Sequence, residues 1–429
     1  MNNFNKTSRR ILLQRILISL GIILFIRIGS FLPVPGINHT DLALYIQTSS
    51  SAQSFINSFS DDGTVVIGLF TLNIFPYINA SIIIQFITAF SPSLSKLQKE
   101  GDLDAKRSIN RLTRLITLIW AIIQSVGLGL FLRPILFDWN LLLLLKVVIW
   151  LTTGAMIVLW LSELITDFGL GNGASLLIYT NIISSFPNFW KTFLTQINGN
   201  LSILSFLSIS SLIILSLSGI ILLQDGTRRI KLISSKQLNT RSGLQSRDSF
   251  QFYIPLKLNQ SGVMPIILTT AILVLPGYVS SLGFNLPMIN IIYFSSNLGI
   301  FSTVLYWITY YLLILGFSSF YSTIVLNPKD IADQLQKMSV TVPGIRPGVQ
   351  TAFYLKKVMQ RLNIIGASAL AILATLPNVI QVILNVPNIN GLSATSLLIV
   401  SGVLVDISRE IEDIIYSNIY KKDTIPLYT

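Results

Sequence analysis

Phe75-Pro-Tyr-Ile-Asn-Ala-Ser-Ile-Ile-Ile-Gln85 lies within a run, roughly residues 69–90, that carries no charged side chain. About 20 mostly apolar residues in a helix cross the hydrocarbon core of a bilayer, and only a helix or closed barrel satisfies its own backbone there. The run is predicted to be a membrane-spanning helix with Pro76 near its start. Ile74, Ile78 and Ile82 are four apart, so they share one helix face. Periodicity alone makes such isoleucines packing or lipid-facing residues.

Nine further apolar segments follow the same logic, at roughly 16–33, 112–132, 141–161, 173–190, 202–223, 260–281, 299–324, 360–381 and 394–411. Composition agrees. Of 429 residues, 52% are hydrophobic and 11% charged, with a mean hydropathy of +0.68. A water-soluble domain carries roughly 25% charged residues. Cysteine is absent, which excludes disulfides, thiolate metal sites and cysteine nucleophiles, and His39 is the single histidine. The first run ends in Phe31-Leu-Pro-Val-Pro-Gly36 and not in a small-residue cleavage site, so it reads as a retained span. Between the first two spans, the Ser-rich stretch 49–66 is too short and polar to cross and is expected to be re-entrant or interfacial.

The net charge of +12 has a topological explanation. Of the 30 Lys and Arg residues, 26 fall in the N-terminus, loops 91–114, 225–257 and 326–361, and the C-terminal tail. The opposite loops hold Arg133 and Lys191, and Arg27 and Lys146 lie inside spans. Such asymmetry puts the basic loops on the cytoplasmic-equivalent side and supports ten spans. The basic pI therefore requires no nucleic acid. Arg27 should face protein or water, and Lys146 should snorkel from a span end.

A weak internal repeat is also present. Ala174-Ser-Leu-Leu-Ile178 opens the fifth span and Thr395-Ser-Leu-Leu-Ile399 the tenth, and proline sits early in the second and seventh (Pro76, Pro265). Both pairs lie five spans apart, and an odd offset inverts one half relative to the other. Inverted halves, 1–190 and 191–429, place a working site at their interface.

Several stretches, in order along the chain, resemble the SecY family of protein-translocation pore subunits. They are Phe25-Ile-Arg-Ile-Gly-Ser30 with Pro33-Val-Pro-Gly36, Phe75 to Gln85, Gly169-Leu-Gly-Asn-Gly173, Gly262-Val-Met-Pro265, Asn327-Pro328, Val342-Pro-Gly-Ile-Arg-Pro-Gly348 with Thr351, and Thr395 to Val400. The resemblance covers about Arg15 to Ile415. It implies an all-α integral membrane fold of ten helices in two inverted five-helix halves, with a plug. The Ile/Asn/Ser-rich wording and lack of long termini resemble a plastid-encoded member in the thylakoid membrane; a bacterial inner-membrane member is the alternative.

The same resemblance implies site residues. A ring of apolar side chains that blocks ions by dewetting falls on Ile74, Ile78, Ile178, Ile267 and Ile399. Ala174 stands where some relatives carry a bulkier ring residue, so the ring is expected to be looser there. The plug falls on 49–66 with Phe55, Ile56 and Phe59. A lateral gate between spans two and seven is expected to hold the polar residues Asn79, Gln124 and Asn259, although simple interfacial solvation accounts for them equally. Loops 225–257 and 326–361 would dock the ribosome or the SecA motor through Arg228, Arg229 and Arg346, while any single lysine there is adequately explained by topology. Segment 241–252 departs from the bacterial pattern, so no contacts carry over to it. SecE-like and SecG-like small subunits, a signal-bearing polypeptide and membrane lipid are the remaining implied partners, and no cofactor is implied.

Two other readings compete. An ion-coupled transporter with inverted repeats would want a mid-span carboxylate, and the acids here cluster in loops and span ends. A membrane enzyme could use Glu163 and Asp167, four apart, but no histidine, cysteine or nucleotide motif accompanies them.

Overall fold

The computed structural model describes residues 2–36, 67–91, 103–133, 140–199, 203–234, 253–260, 262, 264–281, 300–325, 327–383 and 394–423. Eleven helices and four short strands occur among them. In chain order these are α1 (Asn2–Ser30), α2 (Phe75–Phe90), α3 (Leu103–Phe131), α4 (Leu141–Phe168), α5 (Gly173–Gly199) and α6 (Ile203–Asp225). Then follow β1 (Thr227–Lys231), β2 (Ile233–Ser234), β3 (Tyr253–Lys257), α7 (Met264–Ser281) and α8 (Ile300–Val325). The chain closes with α9 (Pro328–Lys337), β4 (Val340–Thr341), α10 (Val349–Ile383) and α11 (Ala394–Asp423).

Each of the ten expected spans coincides with one helix, and α9 is additional. Several helices outrun the apolar segments: α10 begins at Val349 where the apolar run begins near 360, and α5 continues to Gly199 through the expected 190–201 connection. The hydrophobic run marks the part of a helix inside the bilayer, while intrahelical bonding continues into the polar turns outside. The outer surface is apolar, with Leu141 76% and Leu222 72% exposed, as lipid contact requires. Inside, small polar side chains such as Ser19, Ser125, Ser162 and Thr269 are buried, as at membrane helix contacts where backbones approach closely. Gly154 of α4 is one such approach, because a Cβ there would overlap the Leu69 carbonyl oxygen.

The loops expected to be two separate basic arms form one small folded unit. Strands β1 and β3 pair antiparallel, with Arg229 opposite Pro255. Strand β2 of the first arm pairs with β4 of the second, Ile233 opposite Thr341 and Ser234 opposite Val340. Beneath them Ile230, Leu256, Leu335, Val342, Leu355 and Met359 make a buried core of their own. The α9 helix starts on a cap: Asn327 Oδ1 accepts from the Lys329 N–H at 3.1 Å, and Pro328 occupies the first turn.

Candidate pore and lateral seam

The entry to α2 is set by Asn73, whose φ of 46° lies in the left-handed region. Asparagine tolerates this because its short amide bonds locally, and here Asn73 Oδ1 accepts from the Ile74 N–H at 2.9 Å. The turn drives Ile74 inward, 1% exposed, and Ile78 follows at 8%. Both join a buried cluster with Ile26 of α1, Val158 and Ile165 of α4, and Leu177 of α5; Ile82, Ile178 and Ile267 pack against it.

Beside that cluster lies a cavity of about 220 Å³ between α2, α5, α7 and α8. Ile78 and Ile82 line it from α2, Ala174 and Ile178 from α5, and Ile267 from α7. Four of the five isoleucines expected to form a ring, Ile74, Ile78, Ile178 and Ile267, thus meet in one neighbourhood. Ile399 of α11 is half-buried and is not among the residues of the cluster or the cavity wall. The small Ala174 side chain lies on that wall. The cavity also carries polar groups that sequence reasoning did not select: Tyr77, Ser81, Gln85, Asn172, Ser175 and Tyr321. Gln85 was in view as the end of the quoted stretch, and its spacing of seven from Ile78 puts it on the same face.

Along the seam, α2 meets α8 through aromatic rings. Phe86 stacks on Phe320 with centroids 4.7 Å apart and planes at 20°, and meets Phe317 edge-on at 6.3 Å. None of the three was singled out in the sequence, because phenylalanines in apolar runs carry no positional signal. The polar candidates are dispersed. Asn79 is half-buried on α2 and Gln124 half-buried on α3, with its Oε1 enclosed and without a donor among the described residues. Asn259 is buried ahead of α7, where its amide donates to the Gly262 carbonyl at 2.9 Å and closes the turn.

The intramembrane charge Arg27 faces protein. Its guanidinium donates to the Thr180 carbonyl at 2.7 Å, to Asn181 Oδ1 at 3.3 Å and to Ser184 Oγ, tying α1 to α5. Lys146 is exposed in the second turn of α4. Glu163 is taken up by Arg114 of α3 in a two-pronged pair at 2.9 and 2.7 Å, so it and Asp167 form no catalytic carboxylate couple. No cluster of three or more potential metal-ligating side chains occurs among the described residues. Phe55, Ile56 and Phe59, and segment 241–252, lie outside the described residues.

On the basic side Arg228, Arg229 and Arg346 are all exposed. Arg229 lies over the Tyr253 ring, 5.0 Å from its centroid. Arg346 rides a loop between two positive-φ glycines, Gly344 (80°) and Gly348 (94°). Its carbonyl accepts from Thr351 Oγ1 at 2.8 Å, which pins the loop to the start of α10. The matched Val342–Gly348 motif is thereby explained, since only glycine holds those two corners without strain.

A bundle of apolar helices with a cavity at an internal seam and a folded basic unit on one face defines a polytopic membrane channel, and solved channels share the fold. The chain superposes on "The structure of a protein conducting channel" with a TM-score of 0.67 at 15% identity, covering 97% of this chain and 95% of that one. It superposes on Sec61 in the canine ribosome–channel complex with a TM-score of 0.63 at 14% identity, covering 97% and 95%. The SecY family model matches residues 68–408. The chain is 56% identical over 416 residues to the protein translocase subunit SecY of Trieres chinensis, covering 95% of this chain and 97% of that relative. It is 41% identical to that of Guillardia theta (95% and 96% covered) and 38% identical to that of Synechocystis sp. (95% and 93%). This chain belongs to the SecY family. It is a channel subunit and not an enzyme, and the transporter alternative has no support.

Proposed function

We propose that the chain conducts unfolded polypeptides between its two halves, 1–190 and 191–429, and releases apolar segments into lipid along the α2–α7/α8 seam. The observation that supports this best is the cavity of about 220 Å³ where Ile78, Ile178 and Ile267 arrive from three helices. An apolar neck stops ions because they cannot shed their water against hydrocarbon, yet it yields to a passing chain. Ile74 and Ile399 complete the ring. The segment 49–66, with Phe55, Ile56 and Phe59, stoppers it at rest. Gate opening separates aromatic and weak polar contacts, and Asn79, Gln124 and Asn259 tune that step. A leucine-rich signal then partitions sideways by hydropathy, with no chemistry needed.

The basic unit receives a translating ribosome or a SecA-like motor through Arg228, Arg229 and Arg346. Energy comes from that partner. A SecE-like subunit clamps the two halves, a SecG-like subunit adds to the assembly, and the membrane is the thylakoid of a plastid, a reading whose plastid part the algal sources of the relatives support.

A photoreactive residue replacing Ile78, in proteoliposomes supplied with SecA, ATP and a stalled precursor, tests the pore. Adducts to the precursor at Ile78 and none at the lipid-facing control Leu141 are expected. Folded, motor-bound protein giving no adduct at Ile78 would remove the pore assignment.

A further inference from the structure

Away from the pore neighbourhood, a groove of about 750 Å³ opens where α8, α9 and α10 meet on the basic side. Val349, Phe353, Met359 and Ile364 give it an apolar floor, and Lys329 and Lys356 are its charged lining residues. Val349 is 86% and Phe353 70% exposed. No carboxylate lines the groove, and neither lysine pairs with one among the described residues.

Its depth along the chain matters as much as its lining. Lys329 sits in the first turn of α9, beyond the end of the α8 span, while Ile364 and Ser319 lie inside the apolar parts of α10 and α8. The groove therefore runs from the water-facing unit down into the hydrocarbon region. Its upper end is cationic and hydrogen-bonding, with Asn327 and Gln360 beside the lysines, and its lower end is aliphatic. Basic pockets between helices at the positively charged face of a membrane protein suit anionic lipid head groups, and the volume falls in the range of ordinary ligand sites.

We propose that this groove binds one anionic glycerolipid, its phosphoryl or sulfonyl head group between Lys329 and Lys356 and an acyl chain along Phe353 and Ile364. Charge complementarity selects this occupant over a zwitterionic lipid. The apolar floor selects it over a free anion, which would leave Phe353 and Val349 in water. Such a lipid joins the short α9 helix to the bilayer and so steadies the basic unit at a fixed height above it.

The test uses the full chain in nanodiscs of phosphatidylcholine carrying a small fraction of photoactivatable phosphatidylglycerol, or of photoactivatable phosphatidylcholine as the comparison. After illumination, peptides bearing lipid are mapped by mass spectrometry. Adducts within 349–364 are expected from phosphatidylglycerol, several-fold above those from phosphatidylcholine. At the usual contribution of a basic residue near a lipid surface, Lys329→Gln and Lys356→Gln should each weaken the labelling about fivefold. Phe353→Ser should weaken it for both lipids. Both lysines are exposed, so these variants are expected to fold, and unchanged elution on size exclusion checks this. Equal labelling by both lipids, indifference to the two lysine substitutions, or a groove that excludes both lipids because a protein helix covers it would each overturn the proposal.

Discussion

At its start α2 buries Ile74 and Ile78 in a dense aliphatic cluster drawn from α1, α4 and α5, whereas three turns later it meets α8 through the rings of Phe86, Phe317 and Phe320. The first contact is many-sided, and withdrawing it would open a cavity among side chains that cannot follow. The second is a two-sided stack worth about 0.5–1.5 kcal/mol per ring pair beyond area burial. In the proposed lateral release, this helix serves as a fixed wall at one end and a movable leaf at the other. A channel that opens sideways needs that difference, since the proposed ring must keep its shape while the seam parts.

The sharpest way to break this comparison is to immobilise the movable end. The chain has no native cysteine, so Phe86→Cys with Phe320→Cys introduces the sole thiols. Bridging them with a short, cleavable bifunctional reagent should reduce precursor translocation into proteoliposomes at least tenfold, and reduction should restore it. Undiminished transport in the bridged protein would show that the seam is not the moving part.

At the fixed end, Gly154→Val should be the most costly single change to stability. A Cβ there overlaps the Leu69 carbonyl in the turn leading to α2, and backbone cannot step aside as a side chain can. A loss of about 3 kcal/mol is expected, the upper part of the overpacking range, read as thermal unfolding in detergent. Phe86→Ala removes both ring pairs and should lose about 2 kcal/mol in the same assay. If the two variants melt together, the wall and the leaf are held equally and the contrast fails.

Arg27 tests a third kind of contact, a half-buried cation serving as a polar rivet. Arg27→Met leaves the Thr180 carbonyl, Asn181 and Ser184 without the guanidinium. Hydrogen bonds between membrane helices average about 0.6 kcal/mol each, so the three together predict a loss of about 2 kcal/mol in unfolding. Introduced thiols at the α1–α5 contact should also become more reactive. A variant as stable as the parent would mean that the unfolded protein in its detergent satisfies Arg27 equally well.

How far the sequence foretold this structure depends on the range of the contacts. The spans were legible because burial in lipid writes itself into consecutive residues, and the inward turn of Arg27 followed from the cost of a charge in hydrocarbon. The α9 helix could have been found from Asn327-Pro328, a cap followed by proline at the first helical position. Helix ends were not legible from hydropathy, because α10 already has regular hydrogen bonding at Val349, eleven residues ahead of its apolar run. Least visible was the joining of the basic arms: Ile233 finds Thr341 across more than a hundred residues, and two-residue strands have no periodicity to read. The Phe86 stack was hidden for a related reason, since its partners are indistinguishable from lipid-facing phenylalanines until α8 is in place.

The smallest expected effect separates docking from holding within the basic unit. Arg228 and Arg229 are neighbours on β1 and therefore point to opposite faces of the ribbon. Arg229 lies over Tyr253, whose position two residues from Pro255 puts it on Arg229's side of the β1–β3 pair. An exposed cation–ring contact of this kind is worth about 0.5–1 kcal/mol. Arg229→Ala and Tyr253→Ala should each lower stability by about that much, and the double variant should lose less than their sum, because both remove one contact. Arg228→Ala should leave unfolding unchanged and weaken binding of a motor or ribosome measured at low salt. Additive losses at 229 and 253 would dissolve the pairing. A binding defect confined to Arg229 would reverse the assignment, making the arginine that lies over the ring the docking group, and its neighbour a topological charge.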